Sequence, residues 1–279
     1  MQSISIMING LPGNVTKVIA QHAMADKRFN VLPYALTGPE IEAQSCRIAN
    51  QEFELIQPAR REARISQIIA AHGAFISVDF THPSAVNSNA EFYAANKLPF
   101  VMGTTGGDRD RLAQTVRQGG ITAVIAPNMA KQIVGFQALM AYAAEQFPNL
   151  FKGYQLTIRE SHQSGKADTS GTAKAMVGYF NRMGIAFETE QIEKERDPER
   201  QRNMWGVPPE HLGGHGWHTY SLVSPDRTVK FEFIHNVNGR DVYVEGTLDA
   251  IRFLAQKLDA GEKGRVYSMI DVLSAGADL

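Results

Sequence analysis

Short apolar runs and amphipathic stretches alternate along the first half of the chain. Ser3–Ile8, Ala74–Phe80, Leu98–Met102 and Ile121–Ile125 are predominantly apolar, the pattern of buried strands. A further strand is expected near Asn30–Leu36 and a short one at Phe53–Ile56. Between them, Val15, Val18, Ile19 and Ala23 recur at helical spacing, as do Ile65, Ile68 and Ile69. Helices are also expected from Ala85 to Asn96, capped by Ser84, and from about Asp108 to Arg117. Strand and helix alternating at these lengths predict an α/β fold, a Rossmann-like doubly wound parallel sheet.

The rhythm changes after Asn128. A longer helix is expected over Lys131–Phe147, and strands then dominate: Tyr154–Glu160, Ala186–Lys194, Trp217–Ser224, Thr228–Ile234 and Asp241–Gly246. Turns at Ser224–Arg227 and Asn236–Arg240 suggest antiparallel hairpins. This reads as a second, α+β domain with a mostly open sheet. One face of such a sheet needs cover, so a homodimer or homotetramer is expected. The polar segment Glu195–Gly216 is long for a bare loop and reads as a lid or an oligomer arm. A last amphipathic helix runs through Leu248, Ile251 and Leu258, and Tyr267–Leu273 is a final apolar element.

Composition narrows the function. A 43% hydrophobic and 20% charged share suits a globular chain, and a net charge of -1 gives no field to recruit nucleic acid or an acidic membrane. Cys46 is the only cysteine, so no intrachain disulfide is possible. With no signal-peptide pattern and no spanning run, a cytoplasmic protein is expected.

Candidate chemistry lies at the strand ends. Gly10-Leu11-Pro12-Gly13 follows the first strand and opens the first helix, as a dinucleotide-binding loop does, with Thr16 where a third glycine would stand. An NAD-binding fold usually ends its second strand on an acid. Here Ala35-Leu-Thr-Gly-Pro39 has none and Glu40 comes late, which tilts the reading to a 2′-phosphate, with Thr37, Gly38 and Lys17 as donors. Asp79–Thr81, Gly103–Thr105 and Ala126–Met129 lie at further strand ends and read together as a ligand rim. The densest chemistry is in Ile158–Thr172. There a strand runs into a polar loop carrying His162 and Lys166, and Ser170, Gly171 and Thr172 begin a helix. Helix N-terminal amides attract an anion, Lys166 adds a charge, and His162 can move a proton. A capped helix behind a solvated loop is the plainer reading. His211, His215 and His218 have no carboxylate or cysteine set with them, so they read as solvated or substrate-facing histidines and no metal is expected.

Gly10-x-x-Gly13, Asp79-Phe-Thr-x-Pro83, Gly103-Thr-Thr-Gly106, Ala126-Pro-Asn-Met129, Glu160-Ser-His162, Lys166-x-Asp168 and Ser170-Gly-Thr-Ala173 occur in order over nearly the whole chain. In these motifs the sequence resembles the dihydrodipicolinate reductase family of the lysine and diaminopimelate pathway, and Gln163 and Lys131-Gln132 resemble its plant-type branch. The resemblance implies a nucleotide-binding domain of residues 1–130 and 247–279, and a substrate-binding and oligomerisation domain of 131–246. It implies NADPH, or NADH, delivering hydride to a cyclic dicarboxylate imine. His162 and Lys166 would be the proton-donating pair. Gln163, Ser170, Gly171, Thr172 and Thr105 would meet the substrate. Gly10, Leu11, Pro12, Gly13, Asn14, Val15, Thr37, Phe80, Gly103, Thr104, Thr105, Ala126, Pro127, Asn128 and Met129 would line the cofactor. Asn14 replaces the family's usual Arg or Lys and Thr16 its Gly, which implies a lost phosphate contact and a crowded loop. Another imino-acid oxidoreductase and a non-catalytic dinucleotide sensor are the alternatives.

Overall fold

The computed structural model describes residues 3–276; the outermost residues of the expected nucleotide-binding domain, 1–2 and 277–279, lie outside them. The chain divides into two compact units, Met1–Lys131 with Tyr243–Leu279, and Gln132–Val242.

The first unit starts with β1 (Ile4–Asn9), α1 (Asn14–Ala25), β2 (Phe29–Val31) and β3 (Tyr34–Leu36). One strand was expected where β2 and β3 stand. Pro33 separates them because it has no N–H to continue the ladder. The Leu32 amide makes the last bond to Ile6, and the Pro33 carbonyl turns to the Glu54 amide. β3 thereby joins β4 (Ser45–Ile48) and β5 (Gln51–Ile56) in a small sheet of order β3-β5-β4. α2 (Arg61–His72), β6 (Ile76–Asp79), α3 (Val86–Ala95), β7 (Phe100–Met102), α4 (Arg109–Gly119) and β8 (Ala123–Ile125) follow. Ser84 does not cap α3. A 3-10 turn at Pro83–Ala85 precedes that helix, and the His82 side chain accepts the Ser84 amide there.

The second unit holds most of α5 (Lys131–Gln146), then β9 (Gln155–His162), α6 (Gly171–Arg182), β10 (Glu193–Glu195), α7 (Pro198–Arg200), β11 (His215–Val223) and β12 (Lys230–Asn238). Its sheet, order β10-β9-β11-β12, is mixed. α5 and α6 cover one face, where Phe136 and Phe180 both pack on Tyr220 and Phe233. The other face is mostly open, except where Ser161 and His215 are buried and Arg159 lies over the Trp205 ring. The strand expected over Ala186–Lys194 is mostly a 3-10 turn, Thr189–Gln191, held by a reciprocal capping box between Glu188 and Gln191; only β10 extends.

The chain then returns to the first unit through α8 (Val242–Asp259), β13 (Val266–Tyr267) and α9 (Met269–Ala275). The strand and hairpin expected at 236–246 are absent. Val244, Leu248 and Ile251 are buried at helical spacing, so the Val-Tyr-Val alternation yields to α8. β13 completes a parallel sheet of order β13-β8-β7-β6-β1-β2, packed through Met7, Tyr93, Phe100 and Leu112.

Candidate active site

In the first unit, the strand order reverses at β1, with β2 on one side and β6 on the other. Ligands of such sheets lie beyond the strand carboxyl ends at this reversal. A cleft of about 1020 Å³ opens there, walled by Gly10–Gly13, Leu36–Ile41 and Phe80–His82. Gly10 has φ +105°, and a Cβ on it would fall 2.4 Å from the Phe80 carbonyl oxygen, so only glycine closes this turn. Thr16 does not crowd the loop. It is buried in the first turn of α1, and its hydroxyl hydrogen is shared between the carbonyls of Gly13 at 2.8 Å and Gly10 at 3.1 Å.

Two expectations at the second strand change. Thr37 is buried and its hydroxyl donates to the Leu11 carbonyl at 2.8 Å, so it braces the loop and is no free phosphate donor. Glu40 returns to the cleft wall, its carboxylate lying where a Cβ on Gly38 would stand. Arg61 is also in the wall, 3.4 Å from Asn89 Oδ1 and over the Phe92 ring. Beneath, the buried Asp79 carboxylate accepts from Tyr93 at 2.7 Å, Asn89 at 2.9 Å, Thr81 at 2.8 Å and Thr104 at 2.7 Å. Burial, and this carboxylate, push the Tyr93 hydroxyl well above its ordinary range.

The remaining cofactor candidates fall nearby in the same unit. Asn14 and Val15 begin α1; the Phe80 ring fills the space a Gly103 side chain would need. Thr105 is exposed after β7, and Ala126 and Met129 are buried after β8 with Pro127 and Asn128 between them. A narrow glycine loop feeding a helix N-terminus, above a large cleft, fits a dinucleotide pyrophosphate.

In the second unit, strand register builds the other cluster. β9 and β11 pair Glu160 with His218, and β11 and β12 pair His218 with His235, so the three side chains share one cross-strand row. His162 is two residues beyond Glu160 and so on the same face. Its Nδ1 is 3.1 Å from the His215 carbonyl oxygen, and its Nε2 is 3.4 Å from His218 Nε2. Glu160, fully buried, accepts from Arg196 at 2.5 Å on Oε1 and from the Ser170 amide at 3.1 Å on Oε2. Ser170 occupies the N-cap position of α6 as expected, but its side chain makes no capping bond. The amides of Gly171 and Thr172 open the helix behind it. Lys166 pairs with Asp168 at 2.7 Å, and its carbonyl accepts Arg196 Nε at 2.8 Å. Gln163 is half-buried, and its carbonyl accepts the Lys166 amide.

Burial pulls His162 down to about 4, with Arg196 and Lys166 adding to the effect and Glu160 opposing it. Burial also holds His218 well below its ordinary value and His235 at about 4. His215 and His218 are buried rather than solvated, and His215 Nε2 meets the Ser161 hydroxyl at 2.8 Å. Glu160, His162 and His218 place possible ligand atoms within 4.8 Å of one another. Both Glu160 oxygens are engaged, however, and Arg196 already brings a full positive charge to one. The set therefore fits a proton-bearing cluster better than a divalent cation.

Sequence reading missed Arg196, Gln201 and the place of His218. The segment containing the first two is no bare loop but is hydrogen-bonded into the second unit. Gln201 is fully buried, and its Nε2 donates to the His162 carbonyl at 2.7 Å and the Glu195 carbonyl at 3.2 Å. It begins a short π-helix, Gln201–Trp205, a form that recurs at functional sites. For Arg196 and Gln201 the available signal was two polar residues in a Pro- and Gly-rich stretch.

The family described as "Dihydrodipicolinate reductase, N-terminus" matches residues 4–129, and "Dihydrodipicolinate reductase, C-terminus" matches 133–273. The chain is similar to 4-hydroxy-tetrahydrodipicolinate reductase 1, chloroplastic, of Arabidopsis thaliana, at 47% identity over 98% of this chain and 78% of that one. It is 44% identical to a probable chloroplastic 4-hydroxy-tetrahydrodipicolinate reductase of Oryza sativa subsp. japonica, over 98% of this chain and 80% of that one. Among solved structures, a dipicolinate-bound dihydrodipicolinate reductase from Paenisporosarcina sp. TG-14 shares the fold, with a TM-score of 0.65 at 19% identity over 96% of this chain and 98% of that one. Two family matches that together span almost the full length place this chain in the dihydrodipicolinate reductase family.

Proposed function

We propose that this chain uses NAD(P)H to reduce the cyclic imine derived from 4-hydroxy-tetrahydrodipicolinate to tetrahydrodipicolinate, in lysine and diaminopimelate biosynthesis. The observation that carries the reading is the 160–172 loop. It gathers a buried carboxylate, a bound guanidinium, an imidazole, an ammonium and an open helix N-terminus. That set suits a dicarboxylate which must be held by its charge and given a proton.

Gly171 and Thr172, with Ser170 positioned through Glu160, bind one substrate carboxylate. Gln163 and Thr105 contact the substrate. The dinucleotide supplies hydride, held along Gly10–Val15, Phe80, Gly103–Thr105 and Ala126–Met129. Hydride addition leaves negative charge on the ring. Lys166 stabilises it, and Lys166 and His162 return the proton.

For the cofactor we propose NADPH ahead of NADH. Arg61 in the cleft wall favours a 2′-phosphate, and the Glu40 carboxylate opposes it. Glu40→Gln is expected to raise the NADPH-to-NADH ratio of kcat/KM several-fold. No helix of the described residues is long and apolar enough to cross a membrane. Since the relatives above are chloroplastic, we propose a reducing compartment, cytoplasm or stroma. We also propose a homodimer or homotetramer.

The test is oxidation of NADPH and NADH with 4-hydroxy-tetrahydrodipicolinate, on wild type and His162→Ala. Turnover by wild type, lost about 10²–10⁴-fold in the variant, is expected. Cofactor binding without any turnover would replace this reading with the sensor.

A further inference from the structure

The proposed function leaves His218 without a task. It is 3% exposed, in the middle of the covered sheet face, and its Nδ1 is buried with no hydrogen-bond partner among the described residues. An unsatisfied buried nitrogen is costly and calls for an explanation. Its Nε2 faces His162 Nε2 at 3.4 Å, with the two rings nearly edge to face at 74°.

Counting hydrogens fixes the pair. The His215 carbonyl can only accept, so His162 carries its hydrogen on Nδ1. Two N–H groups cannot point at each other across 3.4 Å. In the neutral pair His162 Nε2 is therefore a bare lone pair, and the hydrogen between the rings belongs to His218. Glu160 Oε2 is the other acceptor near that hydrogen, but at 3.8 Å it lies beyond hydrogen-bond range and Arg196 already holds this carboxylate. The tautomer also accounts for the orphan atom: a His218 protonated on Nε2 has only a lone pair at Nδ1.

We propose that His218 is a positioning residue for His162, donating its Nε2–H to His162 Nε2 and so holding the His162 hydrogen on Nδ1 and its lone pair on Nε2. His162 can then become an N–H donor at Nε2 only when His218 carries its own hydrogen on Nδ1 instead, leaving its Nε2 to accept. That exchange takes up one proton: the hydrogen on His218 Nε2 passes to His162 Nε2, and one proton from solvent is gained at His218 Nδ1. The groups facing the pair are Glu160 and His162 on β9, Arg196 and Lys166 from the loops, and His235 on β12, whose ring stacks on His218 at 4.5 Å. Only His218 bonds to the reacting nitrogen. The inference rests on the proposed role of His162, yet its tautomer can be read without turnover.

The experiment is nitrogen-15 NMR of the histidines in the ligand-free full chain, with a pH titration, on wild type, His218→Phe and His218→Gln. Wild type is expected to show His162 Nε2 as an unprotonated nitrogen at pH 7. His218→Phe keeps a ring but removes the donor. It should raise the His162 midpoint by about one pH unit, the size of one lost hydrogen bond. The alkaline limb of kcat/KM, where His162 loses the proton it donates, should move with it while substrate KM stays close to wild type. His218→Gln, which can still offer an N–H, should restore the wild-type midpoint. A protonated Nε2 on His162 in wild type at pH 7 overturns the proposal, even if the Phe variant fails to fold. So does a folded His218→Phe with an unmoved midpoint. Failure of wild type to turn over the imine, with the tautomer as expected, overturns the proposed function and not this assignment.

Discussion

Burial keeps the His162 imidazole unprotonated until about pH 4, and the nearby cations Arg196 and Lys166 act in the same direction. A dicarboxylate brought beside those cations offsets their charge and raises His162. Binding of a dianion is therefore expected to take up protons near neutral pH. Dipicolinate titrated calorimetrically in buffers of different ionisation heat should show an uptake that is lost in His162→Ala; equal heats in all buffers would argue against a proton-loading site. The same burial bears on stability. Unfolded, these imidazoles titrate near 6.5; folded, His162 and His235 do so only near 4. Between those values the unfolded chain binds more protons, so stability is greatest above about pH 6.5 and falls as pH drops toward 4. At pH 5 the penalty is about 2 kcal/mol per imidazole. Tm should fall from pH 7.5 to 5, and less steeply in His235→Phe. Lys166→Ala removes an ammonium whose only ion-pair partner among the described residues, Asp168, is exposed, so we expect turnover to fall by orders of magnitude with little change in Tm; near-normal activity would remove Lys166 from the mechanism.

At the scale of elements, the parallel sheet was legible because its strands are apolar runs and its helices keep one period. What escaped depends on a residue whose effect is not periodic. Pro33 splits one expected strand into two that serve different sheets. Thr16 reads as a bulky replacement for glycine, but burial turns its hydroxyl into a clamp on the loop. Glu40 follows a proline and looks misplaced until the loop folds it back over Gly38. The Thr16 clamp gives a prediction that separates the two readings. Thr16→Val keeps the shape and leaves two loop carbonyls without the hydroxyl, at a cost of about 1–2 kcal/mol. Dinucleotide Kd should weaken several-fold. If crowding governed instead, Thr16→Gly would bind more tightly than wild type. Gln201 is the matching case in the second unit. No pattern marks a glutamine that reaches back to the His162 carbonyl across 39 residues of chain. Gln201→Ala should raise amide exchange across 195–205 and lower kcat, since it frees the segment that carries Arg196.

At the scale of the molecule, the change of rhythm after residue 128 announced two bodies and an open sheet, whereas the row of Glu160, His218 and His235 could not be seen. Those residues lie on three strands, and only antiparallel register brings them together. The open sheet still needs cover, and the exposed side chains say how. Ile234, 59% exposed, is on the sheet face that α5 and α6 leave bare. Leu139 and Tyr142, 69% and 61% exposed, are on α5, which packs through Phe136 against the opposite sheet face. The second unit thus has apolar surface on two opposite sides. A twofold dimer uses one self-complementary patch, whereas a tetramer of dihedral symmetry uses at least two different ones. Ile234→Glu and a Leu139→Glu, Tyr142→Glu pair therefore distinguish them by sedimentation. If the chain is a tetramer built on both surfaces, each variant should stop at dimers and the combination at monomers. If it is a dimer through the sheet, Ile234→Glu alone should give monomers and the α5 pair should change nothing. A wild-type chain that sediments as a monomer would remove the oligomer from the account.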